Sequence, residues 1–145
     1  MVGAAAALSL VACSGETATG LDQMVYNATY SGQGVLQRAP GGFAGAPSQP
    51  ITFSMTLSQL GQDFTGSWTA VVTADQTTLS GGTTGRTTSA GADFTLVETP
   101  CSGVLYGSFT VSADGRLTGS ASGRDCAAGP SGNNIQITFT NLVRH

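Results

Sequence analysis

The stretch Ile51-Thr52-Phe53-Ser54-Met55-Thr56-Leu57-Ser58 decides the fold class. Apolar side chains fill every second position, and hydroxyl-bearing threonine or serine fills the rest. Successive side chains of a strand point to opposite faces, so this stretch has one core face and one solvent face. The same alternation recurs outward from it. Phe64, Gly66, Trp68 and Ala70 alternate with Thr65, Ser67 and Thr69; Leu105, Gly107, Phe109 and Val111 with Tyr106, Ser108 and Thr110; Ile135, Ile137 and Phe139 with Gln136, Thr138 and Thr140. Weaker patterns place strands near residues 29–36, 77–86, 93–98 and 116–123. Turn dipeptides separate them at Gly61-Gln62, Ala90-Gly91, Asp114-Gly115 and Gly132-Asn133. No helical apolar period runs from residue 28 onward.

One-sided strands suit antiparallel pairing. The expectation is an all-β domain over residues 28–145, a small antiparallel up-and-down barrel of about eight strands. A β-sandwich is the alternative. Closure is attractive because only 9% of the residues are charged, leaving few charges to guard open edges. A transmembrane barrel needs an apolar outward face, and here that face is threonine and serine.

A short motif repeats in this region: a large residue, a hydroxyl residue, then glycine. It occurs at Phe64-Thr65-Gly66, Leu79-Ser80-Gly81, Leu105-Tyr106-Gly107 and Leu117-Thr118-Gly119. The glycine shares the core face with the large residue. Two reasons can place glycine there: relief of strand curvature, or room for large side chains from the opposite wall.

Composition excludes several classes. The chain has 145 residues, 21 glycines, five arginines, no lysine and a net charge of −3. A nucleic-acid binder needs a basic surface, which is missing. Coiled coils and highly charged disordered chains need far more charge.

The N-terminus has a separate logic. Gly3 to Val11 is a short apolar run, too short for a spanning helix but suited to the core of a secretory signal over residues 1–12. Met1-Val2 lacks the positive charge expected before such a run. The run ends in Leu10-Val11-Ala12-Cys13, which resembles the lipobox of bacterial lipoproteins. That resemblance implies cleavage before Cys13, lipid on its sulfur and acylation of the new terminus. It implies export and anchoring in the cell envelope, in the outer membrane of a didermal cell since Ser14 follows the cysteine. Stable anchoring takes more than one acyl chain, which this modification supplies. Residues 13–27 then form the lipidated N-terminus and a small, polar tether.

Export places the remaining cysteines, Cys101 and Cys126, in an oxidising compartment, where a disulfide between them is expected. It would close a loop of about 25 residues and contribute roughly 3 kcal/mol. Free thiols or a metal site are the other readings, and two cysteines without an interior histidine make a poor zinc site.

Residues 64–73, Phe-Thr-Gly-Ser-Trp-Thr-Ala-Val-Val-Thr, resemble a strand of the avidin family. Avidins are eight-stranded barrels that bind biotin among several tryptophans; this chain has the single tryptophan Trp68. The resemblance implies barrel geometry, and by analogy with avidins and lipocalins an apolar ligand inside. Phe53, Trp68, Phe94 and Phe109 are the candidate lining residues. An eight-stranded barrel is just wide enough to hold one small ligand or to be filled by its own side chains.

No catalytic residue, metal site or cofactor is expected. The only histidine is the terminal His145, and no plausible Ser–His or Cys–His arrangement is evident. Asp63 and Asp114 lie in or beside turns, where carboxylates cap backbone amides. The glycine-rich Gly81-Gly82-Thr83-Thr84-Gly85-Arg86 lacks the residues of a phosphate loop. The expected role is a non-catalytic scaffold that meets an envelope protein or wall polymer, with binding of a small apolar ligand as the alternative. The connection 37–50, carrying Arg38 and Phe43, is the candidate interaction loop.

Overall fold

The computed structural model describes residues 26–39, 41–125 and 133–145. They form eight strands: β1 (Ala28–Ala39), β2 (Ser48–Leu60), β3 (Asp63–Val72), β4 (Thr78–Thr87), β5 (Gly91–Glu98), β6 (Val104–Val111), β7 (Leu117–Asp125) and β8 (Asn133–Arg144). Each pairs antiparallel with the next, and β8 closes on β1, giving an up-and-down barrel. The sandwich alternative falls, because the β1–β8 ladder leaves the sheet no edge.

The alternation in residues 51–58 does what its period requires. Ile51, Phe53, Met55 and Leu57 are buried at 0–3% exposure, while Thr52, Thr56 and Ser58 face solvent. On that outer face the Thr29 and Thr56 hydroxyls meet across β1 and β2 at 2.9 Å, a cross-strand pair of the kind that stabilises sheets modestly. In β8 the alternation breaks once. Asn141 adopts φ 55°, and the β7–β8 register shifts between Leu117 and Gly119. This bulge lets Phe139 and Leu142, three residues apart, both point into the core.

The motif glycines take the curvature role. Gly66 is exposed, and Gly81, Gly107 and Gly119 are half-buried. A Cβ on Gly66 would stand 1.9 Å from the Thr56 carbonyl oxygen; on Gly81, 1.8 Å from that of Val97; on Gly107, 2.2 Å from that of Ser120. At these points the strand coils until the side-chain direction runs into the neighbouring strand, so only glycine fits. These three glycines do not open space in the interior. Gly85 differs, since a Cβ there would also meet the Phe64 ring at 2.2 Å.

The core begins before β1. Tyr26, placed in the tether by its sequence surroundings, is 3% exposed. Its ring sits edge-on to Phe64 and Phe109 at 6.0 and 5.3 Å. Its hydroxyl donates to the Gly91 carbonyl at 3.2 Å, and Gln59 accepts from its backbone N–H at 2.7 Å. The barrel domain therefore starts at least two residues earlier than its first strand. Tyr26 closes one end of the barrel as a plug.

Burial holds the phenols of Tyr26 and Tyr30 above the usual tyrosine range; neighbouring Tyr30 adds to the effect on Tyr26, while Arg144 opposes it at Tyr30. A raised folded-state pKa means that stability is intact below the unfolded value of about 10 and is lost as pH climbs through the folded value. The melting temperature is thus expected to drop on the alkaline side of about pH 10. Tyr26→Phe should flatten that limb, and an unchanged alkaline limb would show that Tyr26 does not contribute to it.

The two ends of the barrel differ. One end carries the turns 61–62, 88–90 and 112–116, together with Tyr26 and His145. The other end carries the connections after β1, β3, β5 and β7, and those four include the longest in the chain.

Candidate functional site

The four candidate lining residues all reach the core, where they touch one another or share a ring. Phe53 stacks on Phe139 at 4.9 Å between centroids and an interplanar angle of 3°, and on Trp68 at 6.3 Å. Phe94 lies 5.7 Å from Phe109 and 6.2 Å from Phe139. Phe109 in turn meets Tyr26 and Phe64. The rings form one continuous chain from Trp68 to the Tyr26 plug. Centroid separations of 4.5–7 Å are those of aromatic pairs in contact, so these side chains pack on one another along the barrel interior. The Trp68 indole N–H donates to the Val97 carbonyl at 3.4 Å.

Arg38 lies within β1, not in a loop. β1 runs to Ala39 and β2 begins at Ser48, so the connection is 40–47 and not 37–50. Arg38 Nε donates to Asp125 Oδ2 at 2.5 Å; the aspartate side chain is fully buried and the arginine 26% exposed. The pair ties the end of β1 to the end of β7, beneath the longer connections. Its guanidinium is thus committed to holding the barrel end. Arg38→Met withdraws a charged donor from a buried carboxylate, with an expected cost of about 2 kcal/mol. Urea denaturation measures it, and an unchanged midpoint would show that the pair contributes nothing.

Phe43 does lie in the connection, half-buried. That segment has a defined turn: the Ala46 N–H donates to the Phe43 carbonyl at 3.0 Å, Gly45 takes φ 77°, and Gln37 Nε2 donates to the Ala46 carbonyl at 3.2 Å. Cys101 lies in the connection between β5 and β6 at the same end and is disulfide-bonded. Cys13 and Cys126 lie outside the described residues.

Ser31 Oγ and His145 Nε2 are 2.8 Å apart on the surface, a pairing the sequence offered no sign of. The β1–β8 ladder creates it, and the His145 N–H also donates to the Thr29 carbonyl at 2.8 Å. The expectation that no Ser–His arrangement would form is corrected to that extent. The pair is exposed at the short-turn end, and neither residue lines the groove over β3–β6. Among the described residues, no group of three or more His, Cys, Asp and Glu gathers as a metal site.

In the turn of Asp114 the Ser112 hydroxyl, not the carboxylate, takes the Arg116 backbone N–H, at 3.1 Å; the Asp114 carboxylate accepts from that hydroxyl. Its carboxyl is held below the usual range by the Ser112 hydroxyl and by Arg116, whose Nε lies 2.8 Å away. Asp75 does cap a backbone amide, accepting from the Thr77 N–H at 2.9 Å in the turn before β4, and that bond holds its carboxyl below the usual range. Asp63 pairs with Arg86 at 3.2 Å.

A groove of about 640 Å³ crosses the outer wall over β3, β4, β5 and β6. Thr65, Thr84, Thr95 and Tyr106 stand in one row across these strands, each directly opposite the next. A second row, Asp63, Arg86 and Asp93, flanks it. Tyr106 is 68% exposed. The groove draws two or three residues from each of four strands, and no sequence motif announces it.

Fold and geometry together define a closed, eight-stranded, antiparallel barrel with an aromatic core, one plugged end and an outer wall of hydroxyls. No known protein family, curated protein or solved structure matches the chain.

Proposed function

We propose that the chain is an exported, lipid-anchored, non-catalytic β-barrel of the bacterial cell envelope that acts as a scaffold for protein interaction. The carrying observation is the polarity of the barrel. The chain enters through Tyr26 at the short-turn end, and the longer connections, with Phe43 and Cys101, lie at the opposite end. A lipid on Cys13 would hold the first end at a membrane and present the second end away from it. The aromatic chain through Phe53, Phe94 and Phe109 supports a solid scaffold over a carrier of an apolar ligand.

A disulfide between Cys101 and Cys126 belongs to this reading. Val104 pairs with Arg124, and Asp125, the residue before Cys126, ends β7 at the same end as Cys101. Such a bond would brace the presenting end.

Labelling with a fatty-acid analogue tests the anchor. Wild type should take up label and sediment with membranes; Cys13→Ser should do neither, and an unlabelled wild type overturns the lipid reading. Crosslinking in cells tests the presenting end. A partner captured by wild type and lost in Phe43→Ala supports the scaffold, while equal capture by both removes the 40–47 connection from it.

A further inference from the structure

We propose that the groove over β3–β6 is a binding site for a neutral, hydroxyl-rich glycan. The first argument is shape and spacing. Neighbouring strands lie about 4.8 Å apart, so the row Thr65–Thr84–Thr95–Tyr106 spans about 14 Å, the scale of a short oligosaccharide laid across the strands. The second is chemistry. Sugars present hydroxyl edges and apolar C–H faces. The threonines offer hydroxyls that both donate and accept, beside methyl groups; Tyr106 offers an exposed ring for a C–H face. Asp63, Arg86 and Asp93 offer planar groups that engage two adjacent hydroxyls at once.

The third argument is charge. Arg86 offsets Asp63 in their 3.2 Å pair, and Asp93 leaves the flank mildly negative. Nucleic acids, phosphates and acidic glycans are therefore disfavoured. An extended peptide has no purchase as an added strand, because every strand of the closed barrel is paired on both sides. The site does not depend on lipid anchoring or on the presenting end, so it stands or falls separately from the scaffold reading.

The test is calorimetric titration of the full chain, in a detergent without a sugar headgroup, with cellohexaose, chitohexaose, maltohexaose and an acidic oligogalacturonate. At least one neutral hexasaccharide should bind and the acidic one should not. Tyr106→Ala should weaken binding about tenfold and Tyr106→Phe should largely restore it. Thr84→Val should weaken binding with the melting temperature retained, a readout that a purely structural role would not separate. Failure of all three neutral probes overturns the proposal. So does binding that survives Tyr106→Ala, or binding of the acidic probe at equal strength.

Discussion

Phe53→Ala is expected to cost about 4 kcal/mol, the middle of the range for a fully buried phenylalanine. Phe53 has 0% exposure and lies between Phe139, stacked at 4.9 Å, and Trp68 at 6.3 Å. Removing it takes out the ring that joins Trp68 to Phe139, in a chain whose other members are fixed to different strands. β2, β3 and β8 cannot close the gap without breaking their ladders, so relaxation should be small. Chemical denaturation of wild type and variant measures the loss. The variant should also gain an apolar cavity able to take up benzene or xenon, as dry engineered cavities do, and wild type should take up neither. Uptake by wild type would mean that the barrel already holds space, and would revive an apolar ligand as its cargo.

Gly66→Ala is expected to cost at least about 3 kcal/mol, although it adds a single methyl group at an exposed residue. That methyl would stand 1.9 Å from the Thr56 carbonyl oxygen and 3.2 Å from the Leu57 Cα. Both obstacles are backbone, so no side-chain rotation relieves the overlap, and β2 and β3 must part. Gly82→Ala is the matched control. Its nearest neighbour is 4.0 Å away, and replacing a strand glycine with alanine should raise stability by about 0.5 kcal/mol. Opposite signs from the same chemical change, read as midpoint shifts in urea, would establish that the glycines of this wall serve its curvature. Equal small effects would contradict that account.

The eight strands were legible because burial on one face imposes a period of two on the residues themselves. Where that signal thinned, so did the reading. Gln37 and Arg38 extend β1, yet their strand character lies in pairing with Ser48 and Ile135, which local sequence does not record. Pro50 closes the expected 37–50 connection, yet it lies near the start of β2 opposite Val35. Tyr26 reads as tether because its sequence surroundings do; only the open end of a finished barrel gives it a place to bury. By period the motif glycines fall on the inner face, yet Gly66 is exposed, and the choice between curvature and space needs the neighbouring strand. The groove was the least legible feature. Its rows run perpendicular to the chain, and perpendicular order depends on register, which no single strand encodes.

The polarity of the barrel also decides how it meets a mechanical load. Residues 26 and 145 lie at the same end, just before β1 and just after β8, strands that pair antiparallel. Force between those two points peels the seam open one hydrogen bond at a time. Force between residue 26 and the 73–77 connection runs instead along the strands, so the β1–β2 and β2–β3 ladders are sheared with many bonds loaded together. A molecule held at one end and gripped at the other is pulled along its strong axis.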